Sequence, residues 1–131
     1  MRPYSGTANF KVETDSKLAC PCGCGLLPDQ DALERLQRAR NRTHFGWPIT
    51  SGARCPEYNS KVSGTGLTGP HTTGRAFDIG VLGMQALEVL EALLAEGFTG
   101  IGVSQKGSQR FLHADDLTEQ DGFPRPYIWS Y

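Results

Sequence analysis

Residues 75–103 read RAFDIGVLGMQALEVLEALLAEGFTGIGV, and the change of period inside this stretch decides the fold. In RAFDIGV the residues alternate in the strand manner, so an extended chain puts Ala76 and Asp78 on one face and Phe77 and Ile79 on the other. From Met84 the apolar repeat lengthens to that of a helix. Met84, Leu87, Leu90 or Leu94, with Val89 and Leu93 beside them, predict a broad apolar stripe, and Gly97 is placed to stop the helix. TGIGV (99–103) returns to strand character and is expected to pair with RFLHAD (110–115) as a hairpin across the polar SQKGSQ (104–109). A last run, YIW (127–129), reads as an edge strand.

Working toward the N-terminus, residues 59–75 (NSKVSGTGLTGPHTTGR) lack any period and read as one long surface loop, a kind that in a small domain often carries function. WPITSGAR (47–54) reads as a short strand running into a turn, with β-branched Ile49 and Thr50 before the Ser51-Gly52 break. Asp29 is a candidate cap for an amphipathic helix of about three turns carrying Leu33, Leu36 and Ala39. Arg35, Arg38, Arg40 and Arg42 fall between these residues as its solvated face. Weak alternation in GTANFKVETDSKLA predicts one more short strand from Asn9 to Thr14. Helices and strands in this order predict an α+β fold, a small mostly antiparallel sheet packed with two main helices.

The chain has 131 residues, enough for one domain spanning 1–131, and 38% hydrophobic residues exclude a disordered segment. Thirteen basic against 14 acidic residues leave a net charge of −1, so nucleic acid is not expected as a partner. No window resembles a secretory signal or a membrane span, which predicts synthesis in the cytoplasm and no membrane insertion. The expected state is a monomer.

Three histidines limit imidazole chemistry to His44, His71 and His113. His71 in the glycine-rich loop, Asp78 in a strand and His113 in the hairpin are the side chains with metal-ligand character. Two imidazoles and one carboxylate leave a fourth position open, the donor set of a catalytic zinc site. Taken singly, each is as readily a packed loop or strand residue.

The surrounding sequence shifts that balance. SGARCPEYN (51–59), PHTTGRAFDIG (70–80), GIGV (100–103) and RFLHAD (110–115) together resemble the zinc D,D-carboxypeptidases and endolysin-type enzymes of the M15 peptidases, most strongly over residues 18–115. The His-x-x-Gly-x-Ala-x-Asp run followed by a strand histidine is the specific element. The resemblance implies a hedgehog/D,D-peptidase-like fold and a zinc ion held by His71, Asp78 and His113. It further implies hydrolysis of amide bonds in peptidoglycan stem peptides by a zinc-activated water. Arg54 matches the family's Ser-Gly-x-Arg motif, which implies a guanidinium that holds a substrate carboxylate or helps polarise the scissile carbonyl. Without that match, a surface ion pair with Glu57 would account for it. Asn59 also matches, either in substrate binding or as an organiser of its loop.

The chain departs from the family at three places. Many relatives carry a glutamate three residues before the last zinc histidine, or a histidine two before it, and here those positions hold Arg110 and Phe111. Asp115, two residues after His113 and on the same strand face, is the expected proton shuttle, with Asp116 behind it; the competing role is to orient an imidazole. Gly69 stands where relatives commonly have serine. The absent glutamate keeps a second reading open, a non-catalytic zinc-containing domain of the same fold that binds cell wall or protein, as hedgehog-type domains keep zinc without needing peptidase activity. With no signal sequence, a wall hydrolase would act after release by a separate factor or from a phage particle.

Cys20, Cys22, Cys24 and Cys55 stay open. A C-x-C-x-C run is not the usual C-x2-4-C zinc spacing. The three readings are buried free thiols, a disulfide formed outside the cell, and a second metal site.

Overall fold

A computed structural model of the chain describes residues 2–131. Its elements are α1 (Gln30–Arg40), β1 (Ile49–Ser51), α2 (Pro56–Val62), β2 (Ala76–Ile79), α3 (Gly83–Ala95), β3 (Gly100–Ser104), β4 (Phe111–Asp115) and β5 (Tyr127–Ser130). The five strands form one sheet in the order β1-β2-β4-β3-β5, antiparallel except for the β3–β5 pair. This is the expected α+β architecture, with β4 at the centre.

Strand parity divides the sheet into two chemical faces. Phe77, Ile79, Ile101, Leu112 and Ala114 point to one side and join the core with α1 and α3. The other side carries a row of residues paired across all five strands: Ser51 with Asp78, Asp78 with His113, His113 with Gly102, and Gly102 with Trp129. Polar groups therefore gather on one face while apolar ones build the core on the other.

Both main helices lie where the pattern put them. Asp29 caps α1 by accepting a hydrogen bond from the Ala32 N–H at 2.9 Å. Gly97 follows α3 with φ +85°, a conformation that glycine adopts without strain. The apolar stripe of α3 differs from expectation: Ala86, Val89, Ala92 and Leu93 are buried, whereas Met84, Leu87 and Leu94 are exposed. Small residues at 86 and 92 bring the helix close to its neighbours, and the larger side chains are left outside. The arginines of α1 do more than face solvent, because Arg38 and Arg42 pair with Glu96 at 3.1 and 2.7 Å and tie α1 to the end of α3.

Two local expectations fail. Residues 9–14 form no strand, because the chain there turns back on itself, the Thr14 and Asp15 N–H groups reaching the Lys11 carbonyl, while buried glutamines of α1 hold the segment leading into it. Gln30 Oε1 accepts from the N–H groups of Ser5 and Gly6, and Gln37 Oε1 accepts from that of Asn9. Phe10 then plugs into the core. Residues 59–75 are not one loop either. Pro56 starts α2 at a position where its missing N–H costs nothing, and Pro70–Thr73 form a 3-10 turn.

Candidate metal centre

His71 comes from the 3-10 turn, Asp78 from β2 and His113 from β4, and all three side chains are buried. A carbonyl oxygen only accepts, so the 2.7 Å contact between His71 Nδ1 and the Gly52 carbonyl fixes the proton on Nδ1. Nε2 is thereby left to face Asp78 Oδ1 at 3.3 Å. His113 is the mirror case: Nε2 donates to Asp115 Oδ2 at 2.7 Å, and Nδ1 faces the same Asp78 oxygen at 3.2 Å. The two rings meet edge to face with centroids 5.1 Å apart.

Burial by itself would raise the Asp78 pKa, but the His113 and His71 rings, which donate to it when doubly protonated, outweigh burial and hold the carboxyl well below the usual range. Burial likewise disfavours the His113 cation, yet its bonds to Asp115 and Asp78 win and raise its pKa.

The donor set fits a small divalent cation. One ligand atom from each of His71, Asp78 and His113 lies within 4.8 Å of the others. Donors about 2.0–2.1 Å from a tetrahedral zinc are separated by about 3.3 Å, and the two contacts to Asp78 Oδ1 are 3.2 and 3.3 Å. Both imidazoles hold their second nitrogen in a hydrogen bond that turns a lone pair inward, the arrangement metal-ligating histidines commonly have.

Asp115 is not a proton shuttle in this structure. It has no exposed surface, and both of its oxygens are engaged by Arg125, Nε to Oδ1 at 2.9 Å and Nη2 to Oδ2 at 2.8 Å. Burial opposes its charge, but the Arg125 guanidinium and His113 bring its pKa down to about 2. A carboxylate so weakly basic, and with no contact to solvent, orients His113 instead. Asp116 is withdrawn as well, since it pairs with Arg75 at 2.8 Å and Arg35 at 3.4 Å.

Arg54 lines the same cleft as the three ligand-like residues, about 310 Å³ in volume. Its Nε is buried without a hydrogen-bond partner, and its backbone N–H is tied to the His71 carbonyl at 3.0 Å. An orphaned guanidinium nitrogen beside an open cleft suits an incoming carboxylate or carbonyl oxygen. Asn59 is different. It is fully buried and does not line the cleft; its amide donates to Thr65 Oγ1 at 2.9 Å and the Gly66 carbonyl at 2.6 Å, so it organises the loop above the site. A serine at 69 would not fit beside it, since a Cβ there falls 2.1 Å from Thr65 Oγ1. His44 is exposed at the end of α1, away from the centre.

A family model described as Peptidase M15 matches residues 10–115, most of the chain. The chain belongs to the M15 peptidases. No curated protein and no solved structure matches it. M15 peptidases are typically metal-dependent, and His71, Asp78 and His113 form a cluster that could hold an ion.

Three residues of the site lie in or beyond the C-terminal part of that match and carry no motif of their own. Arg125 enters with the segment before β5, and Trp129 packs against His113 with its ring tilted by 54° and centroids 4.9 Å apart. Tyr131 joins the cleft wall against Phe111. The signal for the first two lay in the glycines of β3. A Cβ at Gly100 would sit 2.3 Å from Asp115 Oδ1 and 2.4 Å from Arg125 Nε, and one at Gly102 would sit 2.6 Å from Trp129 Nε1. Glycine within a strand marks a close approach, and here the approaching groups are those that hold His113 in place.

Proposed function

We propose that this M15 peptidase is a zinc-dependent hydrolase of amide bonds in peptidoglycan stem peptides, acting on the wall as a D,D-carboxypeptidase or an L,D-endopeptidase of the endolysin kind. The observation that carries the reading is the open three-ligand centre with the unpaired Arg54 guanidinium on the same cleft. His71, Asp78 and His113 would hold the ion. When bound, zinc supplies Lewis acidity, polarising a carbonyl oxygen and lowering the pKa of water toward neutrality.

The chain's own residues supply the rest. Arg54 clamps a carboxylate of the stem peptide and sets the register of the scissile bond. Arg125 and Asp115 lock the His113 ring. Phe111, Trp129 and Tyr131 form an aromatic wall that packs against the peptide and limits water. Tyr131 is the remaining titratable side chain at the cleft, and at its open edge it carries a phenol O–H that stays protonated at neutral pH. We assign to it the proton delivered to the leaving amine, the role Asp115 cannot fill. We assign access to the wall to a separate release factor or to carriage on a phage particle.

One observation favours a second reading, a wall-binding domain without catalysis: among the described residues no carboxylate except Asp78 lines the cleft. Digestion of purified cell walls, with mass spectrometry of released peptides, separates the two. Hydrolysis predicts new peptide termini from the wild type and none from His113→Ala. Retention on insoluble wall without any released peptide would replace the peptidase reading by the second.

A further inference from the structure

The four cysteines, left open by the sequence, converge. The chain from Cys20 to Leu26 is not extended: the Gly23 N–H reaches the Cys20 carbonyl at 3.3 Å and the Cys20 N–H reaches the Leu26 carbonyl at 3.1 Å. Gly23 and Gly25 take φ of +83° and +89°, a conformation that favours glycine, so the C-x-C-G-C-G run curls into a tight loop. Cys55, at the start of α2, closes over that loop.

The resulting geometry is that of a coordination shell. Cys20 Sγ lies 3.4 Å from Cys22 Sγ, Cys22 Sγ lies 3.6 Å from Cys55 Sγ, and all four sulfurs fall within 4.8 Å of one another. Thiolates about 2.3 Å from a tetrahedral zinc are separated by about 3.8 Å, whereas a disulfide brings its sulfurs to about 2.05 Å. All four are free thiols. Two backbone N–H groups point at the cluster, that of Cys55 to Cys20 Sγ at 3.3 Å and that of Tyr58 to Cys55 Sγ at 3.4 Å, contacts that stabilise sulfur carrying negative charge. Packing does not account for the arrangement, because Cys22 and Cys24 are exposed.

We propose that Cys20, Cys22, Cys24 and Cys55 form a closed tetrathiolate site for a structural zinc ion, distinct from the centre at Asp78. Four soft ligands and no open position fit a structural role and leave no place for substrate. The site has a mechanical purpose. It fastens the loop at 20–26 to the segment that carries Gly52 and Arg54, which also donates the Ala53 N–H to the Leu18 carbonyl at 3.0 Å. Gly52 has no room for a side chain, since a Cβ would lie 2.6 Å from the Leu18 oxygen. The same short segment holds the His71 ring and the cleft arginine, so the ion would brace both.

Metal analysis of the reduced full-length chain, produced with zinc present, tests this. The expected result is two zinc ions per chain for the wild type, and one each for the Cys22→Ser/Cys24→Ser and His71→Ala/His113→Ala variants. Cobalt(II) replaces zinc as a spectroscopic probe. An intense thiolate-to-cobalt charge-transfer band is expected in His71→Ala/His113→Ala and not in Cys22→Ser/Cys24→Ser. Should the serine variant fail to fold, the cobalt spectrum of the histidine variant decides alone. Absence of that band overturns the proposal, as does a wild type holding a single zinc that the histidine variant loses. An intact mass short by the two hydrogens of a disulfide, in protein purified without added metal, would also overturn it.

Discussion

The two ligand clusters of this small protein differ in almost every physical respect. His71, Asp78 and His113 are buried and held by second hydrogen bonds, with two of the three on adjacent strands in exact cross-strand register. The four thiols sit on a curled loop and a helix start, half of them exposed. Nitrogen and oxygen donors with an open side suit chemistry, whereas sulfur donors that close around an ion suit a brace. The contrast teaches that position in the fold and donor type vary together: two of the three nitrogen and oxygen donors stand on the central strands, and the thiols gather where the sheet does not reach.

The contrast breaks most sharply if the two clusters respond alike. Replacing His71 or His113 by Ala should lower wall-peptide hydrolysis by at least about 10³-fold, several kcal/mol of barrier, and leave the thiolate–cobalt band in place. Tyr131→Phe should cut kcat about 10²-fold with little change in KM, the scale of a lost proton donor; equal rates would return proton delivery to solvent. Asp115→Asn keeps the size of the side chain but removes the charge that pairs with Arg125. It should weaken metal binding at His113 about 10–100-fold in a chelator competition, with the thiol site unaffected.

Cys22→Ser should act in the opposite sense. Loss of the brace is expected to lower Tm by roughly 10 °C, on a scale of about 3–5 °C per kcal/mol for a domain of this size, while residual activity per folded molecule falls less than with either histidine variant. Glu96→Gln is the remote control and the smallest effect. Hydrogen bonds from Arg42 and Arg38 hold the Glu96 pKa below its ordinary value of 4.5. Its contribution is therefore full above that value and fades as pH falls through and below it. Wild type and variant should differ slightly in Tm at pH 7 and converge in acid, with metal content at both clusters equal.

Periodicity made the sheet, α1 and α3 legible because each buries a face long enough to repeat. It failed where a segment is held by side chains or proline. Residues 9–14 alternate weakly, but the chain there turns back onto the Lys11 carbonyl while Gln30 and Gln37 hold the segment leading into it, and α2 begins at Pro56 within polar sequence. The three ligand-like residues were legible from the motif around Asp78, and the structure brings them together. Arg125 and Trp129 were not, since Trp129 arrives on a parallel edge strand and Arg125 on the segment before it, with no motif of their own. Asp115 shows the limit of parity as a guide. It does share a face with His113, as a two-residue spacing requires, but a face does not reveal that a distant arginine has already claimed the carboxylate.

The row running from Ser51 through Asp78, His113 and Gly102 to Trp129 has a consequence for how this chain tolerates change. Odd and even positions of β2 and β4 serve two masters, the face of ligand-like side chains and the oily interior, so a single-residue insertion inside either strand would exchange the two sets wholesale. Length variation is cheap only outside the ladder. The exposed connection at 106–110 is the natural place to graft a tag, a fluorophore or a targeting module, because added residues there leave the reading frame of the sheet untouched.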